Sequence, residues 1–297
     1  GPAVAVLAAA LGRPLLPWQR YVADVAGERT GDGRYRYPVV VLTVPRQAGK
    51  TVLLRCVGVH RAARADRRRV FYTAQTGKDA RRRWEDMIAD VEASPLGPRV
   101  TVRRRAGDEA LVLPNRAEFG VFAPKRDALH GETPDLVMID EAWKHSPEVG
   151  EDLMSAIRPA MINVRHRQLW IVSTAGDEES TWFRAWVETA RAGAPGVAIF
   201  EWSAPDDAAR DDPATWAAHH PTFGELITAD DDRAYLNRWP RSASLSVIPL
   251  ETFDARYDPD QARPEPGTVS LGFDVGENRR DAAISAAWTD RHGIDRT

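Results

Sequence analysis

Two short runs carry the residue types best suited to chemistry. The first is Thr43-Val44-Pro45-Arg46-Gln47-Ala48-Gly49-Lys50-Thr51, which ends in Gly-Lys-Thr. The second is Leu136-Val137-Met138-Ile139-Asp140-Glu141, an apolar run ending in two acids. A Gly-Lys-Thr that follows a strand and opens a helix is the end of a phosphate-binding loop. Backbone N–H groups around Gln47, Ala48 and Gly49 would wrap the phosphates. Lys50 would reach the β- and γ-phosphates, and the Thr51 hydroxyl would ligate Mg2+. The acids suit the complementary half of the task, Asp140 to hold Mg2+ and Glu141 to polarise an attacking water. Either run alone is weak, because Gly-Lys-Thr arises by chance and an acid often ends a strand or caps a helix. In this order, about ninety residues apart, the two point together to ATP hydrolysis.

The first run departs from G-x-x-x-x-G-K-[ST] at its first position, where Val44 stands in place of glycine. Pro45 stiffens the start of the loop, and Arg46 lies inside it. Two smaller motifs are each open to two readings. Ser173-Thr174-Ala175 could sense hydrolysis beside the γ-phosphate and move a neighbouring element, or could be a plain strand end with small turn residues. In Leu16-Pro17-Trp18-Gln19, Gln19 could read the adenine edge, or the Pro-Trp pair could simply anchor the start of a helix.

The elements that must position these residues follow from hydrophobic patterning. Val39–Val44, Val70–Ala74, Leu136–Asp140, Gln168–Thr174 and Val197–Trp202 read as buried strands. Helices are expected over Thr51–Ala63, Lys78–Glu92, Pro147–Ile162 and Thr181–Arg191. The alternation implies an α/β fold, a mostly parallel sheet covered on both faces. Val100–Arg104, Ala110–Leu113 and Glu118–Ala123 are expected to extend one edge as antiparallel hairpins. Prolines 240, 249, 259, 264 and 266 mark a connector. Beyond it Val269–Phe273 begins a new strand, and Ala282–Trp288 can pair with it. The chain is therefore divided into a domain over 1–240, a linker over 241–268 and the start of a second domain over 269–297.

Composition bounds the reading. The 297 residues carry a net charge of −3, with 43% hydrophobic and 28% charged, so the chain is no bulk polycation. No apolar run approaches the length that spans a bilayer. Cys56 is the one cysteine, which rules out an intrachain disulfide and suits a reducing compartment. Arginines cluster at 67–69, 81–83 and 103–105. Solvated faces are the first reading of each cluster, and contact with nucleic acid is the second. Gly1-Pro2 is set aside as the scar of a cleaved tag. The ending Asp290–Thr297 reads as a chain cut short.

Taken in order, LLPWQR, VPRQAGKT, FYTAQTGKDARRRWEDM, LVMIDEAW and WIVSTAG resemble the large terminase subunits of tailed double-stranded DNA bacteriophages. DRAYLNRWP is similar to that family's end-of-ATPase signature. SLGFDVGENRRDAAISAAW is similar to the first strand and hairpin of its ribonuclease H-like nuclease. The resemblance implies a P-loop NTPase fold of the additional-strand, catalytic-glutamate type. It also implies an ATP- and Mg2+-dependent motor that threads double-stranded DNA through the portal protein into a procapsid. The partners implied are a small terminase subunit and other copies of the chain, in a ring of usually five when assembled and as a monomer outside the assembly. The place implied is the host cytoplasm, docked transiently on the portal and absent from the finished virion.

The resemblance assigns Lys50 and Thr51 to phosphate and Mg2+, Asp140 to the metal, Glu141 to catalysis, Ser173-Thr174-Ala175 to coupling and Gln19 to adenine. Arg46 matches the arginine these loops commonly carry, and would clamp the γ-phosphate. Some relatives place an arginine before the acid motif to reach a neighbouring subunit's site. Here His130 stands at that spot, with Lys125 or Arg126 as substitutes. Asp274 matches the first nuclease carboxylate, using Mg2+ or Mn2+, with Asp281 a weaker candidate. The remaining family acids would lie past Thr297, so this chain is expected not to cut DNA, whereas a full-length protein would cut the concatemer. The rival readings are a helicase-like DNA translocase and a non-enzymatic module with a relict phosphate loop.

Overall fold

The structure, a computed structural model, describes residues 1–203, 229–239, 269–275, 282–289 and 295–296. The chain forms two compact units, Gly1–Arg241 and Ser242–Thr297.

The first unit is built on an eight-stranded sheet. Its strands are β1 (Val39–Thr43), β2 (Arg69–Thr73), β3 (Thr101–Arg103), β4 (Ala110–Val112), β5 (Glu118–Val121), β6 (Leu136–Asp140), β7 (Gln168–Ser173) and β8 (Val197–Glu201). Their order is β3-β4-β5-β2-β6-β7-β1-β8. The five junctions from β5 to β8 are parallel. β3, β4 and β5 form the expected antiparallel edge.

Strand alternation splits the core into two layers. Val40 and Leu42 of β1, Leu136 and Met138 of β6, and Trp170 and Val172 of β7 face one cluster. Val41, Val137, Ile139, Leu169 and Ile171 face the other. The first layer is closed by α1 (Pro2–Ala10), α2 (Pro17–Ala26), α3 (Lys50–Ala63) and α4 (Gly77–Glu92). The second is closed by α5 (Pro147–Met161) and α6 (Thr181–Arg191). In α4 the stripe Ala80, Trp84, Met87, Ile88 and Val91 is buried, and the Thr76 hydroxyl caps the helix by accepting from the Asp79 N–H at 3.1 Å. The expected elements stand within about two residues of their observed bounds. Val44 leaves β1, yet its N–H still bonds to the Ser173 carbonyl at 3.2 Å.

Among the described residues, three helices stand beyond those expected outright, one of them foreseen as an alternative. α1 is apolar on nearly every side, so no periodic stripe marks it, and it packs on α3. α2 begins with Pro17 in its first turn, where a missing N–H costs nothing. This is the helix-anchoring reading of the Pro-Trp pair. The third is α7 (Ala229–Leu236).

The arginine clusters are largely neutralised within the unit. Arg68 pairs with Asp135 and Arg69 with Glu118. Arg81 lies 3.0 Å from Glu85 and 3.3 Å from Glu109, Arg103 2.8 Å from Glu118, and Arg104 2.6 Å from Glu92. The solvated-face reading therefore fits most of them.

In the second unit, β9 (Val269–Val275) pairs antiparallel with β10 (Ala282–Thr289), which also pairs with β11 (Asp295–Arg296). Asp274 sits in β9 with its backbone opposite Ala283. Asp281 and the proline-rich connector lie outside the described residues. Among the described residues no helix is long and apolar enough to cross a membrane.

Candidate active site

The loop between β1 and α3 sits where three parallel strands end side by side. Pro45 to Gly49 must turn sharply there, and two residues take left-handed backbone, Gln47 (φ 60°) and Gly49 (φ 97°). A side chain at position 49 would be strained by that φ, and its Cβ would come within 2.6 Å of Gln19 Nε2. Gly49 also serves as the N-cap of α3, leaving that helix's first N–H groups turned toward the loop. Lys50 is buried, and its Nζ donates to the carbonyls of Pro45 at 3.0 Å and Val44 at 3.3 Å. Burial pulls its pKa below the ordinary lysine value, and nearby Glu141 and Asp140 act against that. The ammonium is thus folded back over its own loop, with no carboxylate bonded to it among the described residues.

Across the cleft, Asp140 ends β6 fully buried. Its Oδ2 accepts from the Tyr72 hydroxyl at 2.7 Å and from Arg83 Nη1 at 3.3 Å, and its Oδ1 accepts from the Glu141 N–H at 2.9 Å. Burial raises its pKa, and the adjacent Glu141 charge adds to the rise, while Arg83, Tyr72 and Lys50 resist it. Glu141 sits in left-handed backbone (φ 52°), which turns its carboxylate out of the strand direction. One oxygen accepts from Trp143 Nε1 at 3.0 Å and the other lies 3.1 Å from Arg83 Nη2. Burial opposes the charge on Arg83, but Asp140 and Glu141 outweigh it and hold the guanidinium more firmly protonated.

A cleft of about 360 Å3 lies between the two halves. Arg46, Gln47, Gly49, Lys50 and Thr51 line one side; Gln75, Arg83, Glu141, Trp143 and Lys144 line the other. Arg46 is exposed, and its side chain makes no hydrogen bond or ion pair among the described residues. Its N–H bonds to the Ala234 carbonyl at 2.7 Å, which fixes the loop's outer turn to α7. Ala48 is not among the lining residues; it packs on the core, and its N–H points to the Pro45 carbonyl at 3.4 Å. Gln19 is buried behind the loop. Its Oε1 accepts from the Leu16 N–H at 2.7 Å and its Nε2 donates to the Gly49 carbonyl at 2.9 Å. Both ends of that amide therefore serve the α2 start and the loop.

The Ser-Thr-Ala motif lies beside the acids. The Ser173 hydroxyl accepts from the Trp143 N–H at 3.2 Å. Thr174 is buried, and its hydroxyl has no hydrogen-bond partner among the described residues. The Ala175 N–H donates to Asn237 Oδ1 at 2.6 Å, and the Ala175 carbonyl accepts from Arg233 Nη1 at 3.1 Å. Asn237 is a junction. Its Oδ1 also accepts from the Thr43 hydroxyl at 3.0 Å, and its Nδ2 donates to the Trp202 carbonyl at 3.1 Å. The ends of β1, β7 and β8 are thereby joined through one buried amide.

His130, Lys125 and Arg126 lie on the exposed turn after β5, outside the lining of this cleft, and His130 is 3.7 Å from Asp127. Sequence reasoning missed Tyr72, Arg83, Trp143, Arg233 and Asn237. For Arg83 a signal existed. It lies three residues after Ala80 and four before Met87, on the edge of the core-facing stripe of α4, an odd place for a solvated arginine.

A family model described as terminase large subunit, T4-like virus type, N-terminal, matches residues 41–229, well over half of the chain. The chain belongs to the terminase large subunit family. Among solved structures, the HK97 bacteriophage large terminase matches with a TM-score of 0.64 and 18% identity, over 99% of this chain and 66% of that one. This terminase chain therefore spans just under two thirds of that protein. The large terminase of a thermophilic bacteriophage, in complex with ADP, matches with a TM-score of 0.58 and 13% identity, over 95% and 66% of the two chains. The large terminase ATPase domain of Thermus phage P74-26 gives 0.57 and 18% over 77% and 96%. These likenesses establish the P-loop ATPase fold of the terminase. No curated protein sequence matches it. The family match covers the phosphate loop, both acids, Arg83 and the Ser-Thr-Ala motif, and leaves out Gln19, Asn237 and the second unit.

Proposed function

We propose that this chain is the ATP-hydrolysing part of a viral DNA-packaging motor that drives double-stranded DNA through a portal into a procapsid. The observation that carries this reading is one cleft lined by Lys50 and Thr51 together with Glu141, with the buried Asp140 next to Glu141 at the end of β6. These residues fit a magnesium nucleotide. Gly49 leaves the start of α3 open to phosphate, and the Lys50 ammonium is held by carbonyls that a phosphate can replace. Among the described residues no group of three or more His, Cys, Asp or Glu could hold a metal alone. An ion here would therefore be shared between the nucleotide's own oxygens, the Thr51 hydroxyl and Asp140.

The bound magnesium nucleotide supplies the phosphoanhydride to be cleaved and the charge neutralisation around it. Lys50 fixes the phosphates, and Glu141 orients a water and accepts its proton. Arg46, exposed on the loop, reaches the γ-phosphate and offsets charge as the bond breaks. Ser173 and Ala175 carry the change outward, through Trp143 on one side and Asn237 on the other. Gln19 sets the height of the loop by its bond to Gly49, with any adenine contact secondary. The portal, a small terminase subunit and neighbouring copies in a ring of five are the partners proposed. A cation from the neighbouring copy, with His130, Lys125 or Arg126 as candidates, completes the site. The work takes place in the host cytoplasm at the portal. β9 and β10 with Asp274 are proposed as the start of a ribonuclease H-like nuclease.

Glu141→Ala tests the reading. ATP turnover should fall by about 10²-fold or more while nucleotide binding persists. Equal turnover in the variant and the wild type would remove Glu141 from the mechanism.

A further inference from the structure

Arg83 is the one cation bonded to the acid pair among the described residues. Its Nη1 lies 3.3 Å from Asp140 and its Nη2 3.1 Å from Glu141, one guanidinium nitrogen for each carboxylate. Lys50 does not share this role, since its ammonium is bonded to the Val44 and Pro45 carbonyls. The other contacts to the pair come from neutral donors, the Tyr72 hydroxyl, the Glu141 N–H and the Trp143 indole. Two carboxylates side by side, one fully buried, cannot both stay charged without a cation close by. Arg83 reaches them from α4 as a partly exposed side chain in the wall of the cleft. It can therefore swing outward without unpacking the helix, because Ala80, Trp84 and Met87 carry the burial.

We propose that Arg83 is a resident counter-ion. It holds Asp140 and Glu141 while the cleft is empty, and it must yield to the divalent ion that arrives with nucleotide. This rests on the ATPase reading given above. Arg83 is bonded to Asp140, the one carboxylate proposed above to hold the divalent ion, and like charges at such range would repel. The exchange makes ion binding and the release of Glu141 a single event. Glu141 is then held against Arg83 and Trp143 until a metal-bearing nucleotide is in place, which keeps an idle motor from turning over. Arg83 is thus a positioning residue acting through the two acids.

The test is binding, not turnover. A fluorescent, non-hydrolysable ATP analogue is titrated with Mg2+ in wild type, Arg83→Gln and Glu141→Gln, and in the double variant. In Arg83→Gln the Mg2+ concentration that gives half-maximal binding should fall by about fivefold or more. Glu141→Gln also relieves the contest, so the two shifts should not multiply in the double variant. An unchanged Mg2+ requirement in a folded Arg83→Gln would overturn the proposal, leaving Arg83 a structural ion pair. A raised requirement would overturn it too, since Arg83 would then help to hold the nucleotide. If thermal melting shows that Arg83→Gln does not fold, Arg83→Lys is read instead. A single ammonium cannot grip both acids as the fork does, so the requirement should fall by a smaller factor, and no fall would overturn the proposal. Failure of the wild type to bind nucleotide at any Mg2+ concentration would sink the ATPase reading, and this one with it.

Discussion

Replacing Asn237 should cost far more than its place beyond the last parallel strand suggests. Asn237→Ala removes an acceptor from the Ala175 N–H and the Thr43 hydroxyl, and a donor from the Trp202 carbonyl. Asn237, Thr43 and Ala175 are fully buried, so water cannot readily take over at the hydroxyl or the Ala175 N–H, whereas Trp202 is partly exposed and water can reach its carbonyl. A buried group left without its partner costs about 1–3 kcal/mol, and of the three the hydroxyl alone can turn to another acceptor. Asn237 also sits at φ 55°, a conformation that asparagine tolerates better than alanine, by several tenths of a kcal/mol. The sum is about 3–5 kcal/mol. For a unit of this size that corresponds to a fall in melting temperature of roughly 10 °C. Asn237→Gly separates the parts, because glycine accepts the left-handed backbone and should recover only about 1 kcal/mol of the loss. Thermal melting measures both, and hydrogen exchange at Ala175 reports whether the damage begins at that junction. A melt of Asn237→Ala within 2 °C of the wild type, a loss of less than roughly 1 kcal/mol, would refute the idea that this amide ties the three strand ends together.

Other outcomes follow from the same geometry. Arg46→Ala should lower ATP turnover by more than about tenfold and largely spare nucleotide binding, as expected for loss of one transition-state donor; steady-state kinetics beside a binding titration checks this. Stability should also fall as the medium is acidified. Burial holds His145 and His60 at a pKa of about 4 in the folded chain against 6.5 unfolded. The unfolded state therefore binds more protons over that range, and stability that is complete above pH 6.5 drains away as pH falls toward 4. His145→Gln should flatten the slope of melting temperature against pH between those limits, and an unchanged slope would remove His145 from the account.

How much could be read without the fold depended on how local the cause was. The phosphate loop and the acid pair lie at strand ends, and an unbroken apolar run such as Leu136–Ile139 fixes its own burial. Their coming together was not legible in the same way, because it depends on the strand order, in which β7 separates β6 from β1. The roles of Gln19 and Asn237 did not follow, because their partners are 30 residues away at Gly49 and 62 away at Ala175. No spacing rule relates an amide to a carbonyl on another element. Arg83 lay between the two cases. Its place on the α4 stripe was legible, but a run of three arginines draws the eye to solvent and nucleic acid. α1 escaped notice because an all-apolar short helix has no period to find.

The strand order has one further consequence. β7 lies between β6, which bears the acids, and β1, which bears the phosphate loop, and Val172 pairs with Asp140 on one side and Leu42 on the other. Neighbouring strands stand about 4.8 Å apart, so this one strand works as a ruler, holding lysine and acids at a separation of roughly two strand spacings. A slip of β7 by one residue would leave both motifs intact letter for letter. It would also turn every buried side chain of the strand to the wrong layer and spoil the gap proposed above to grip a phosphate from both sides.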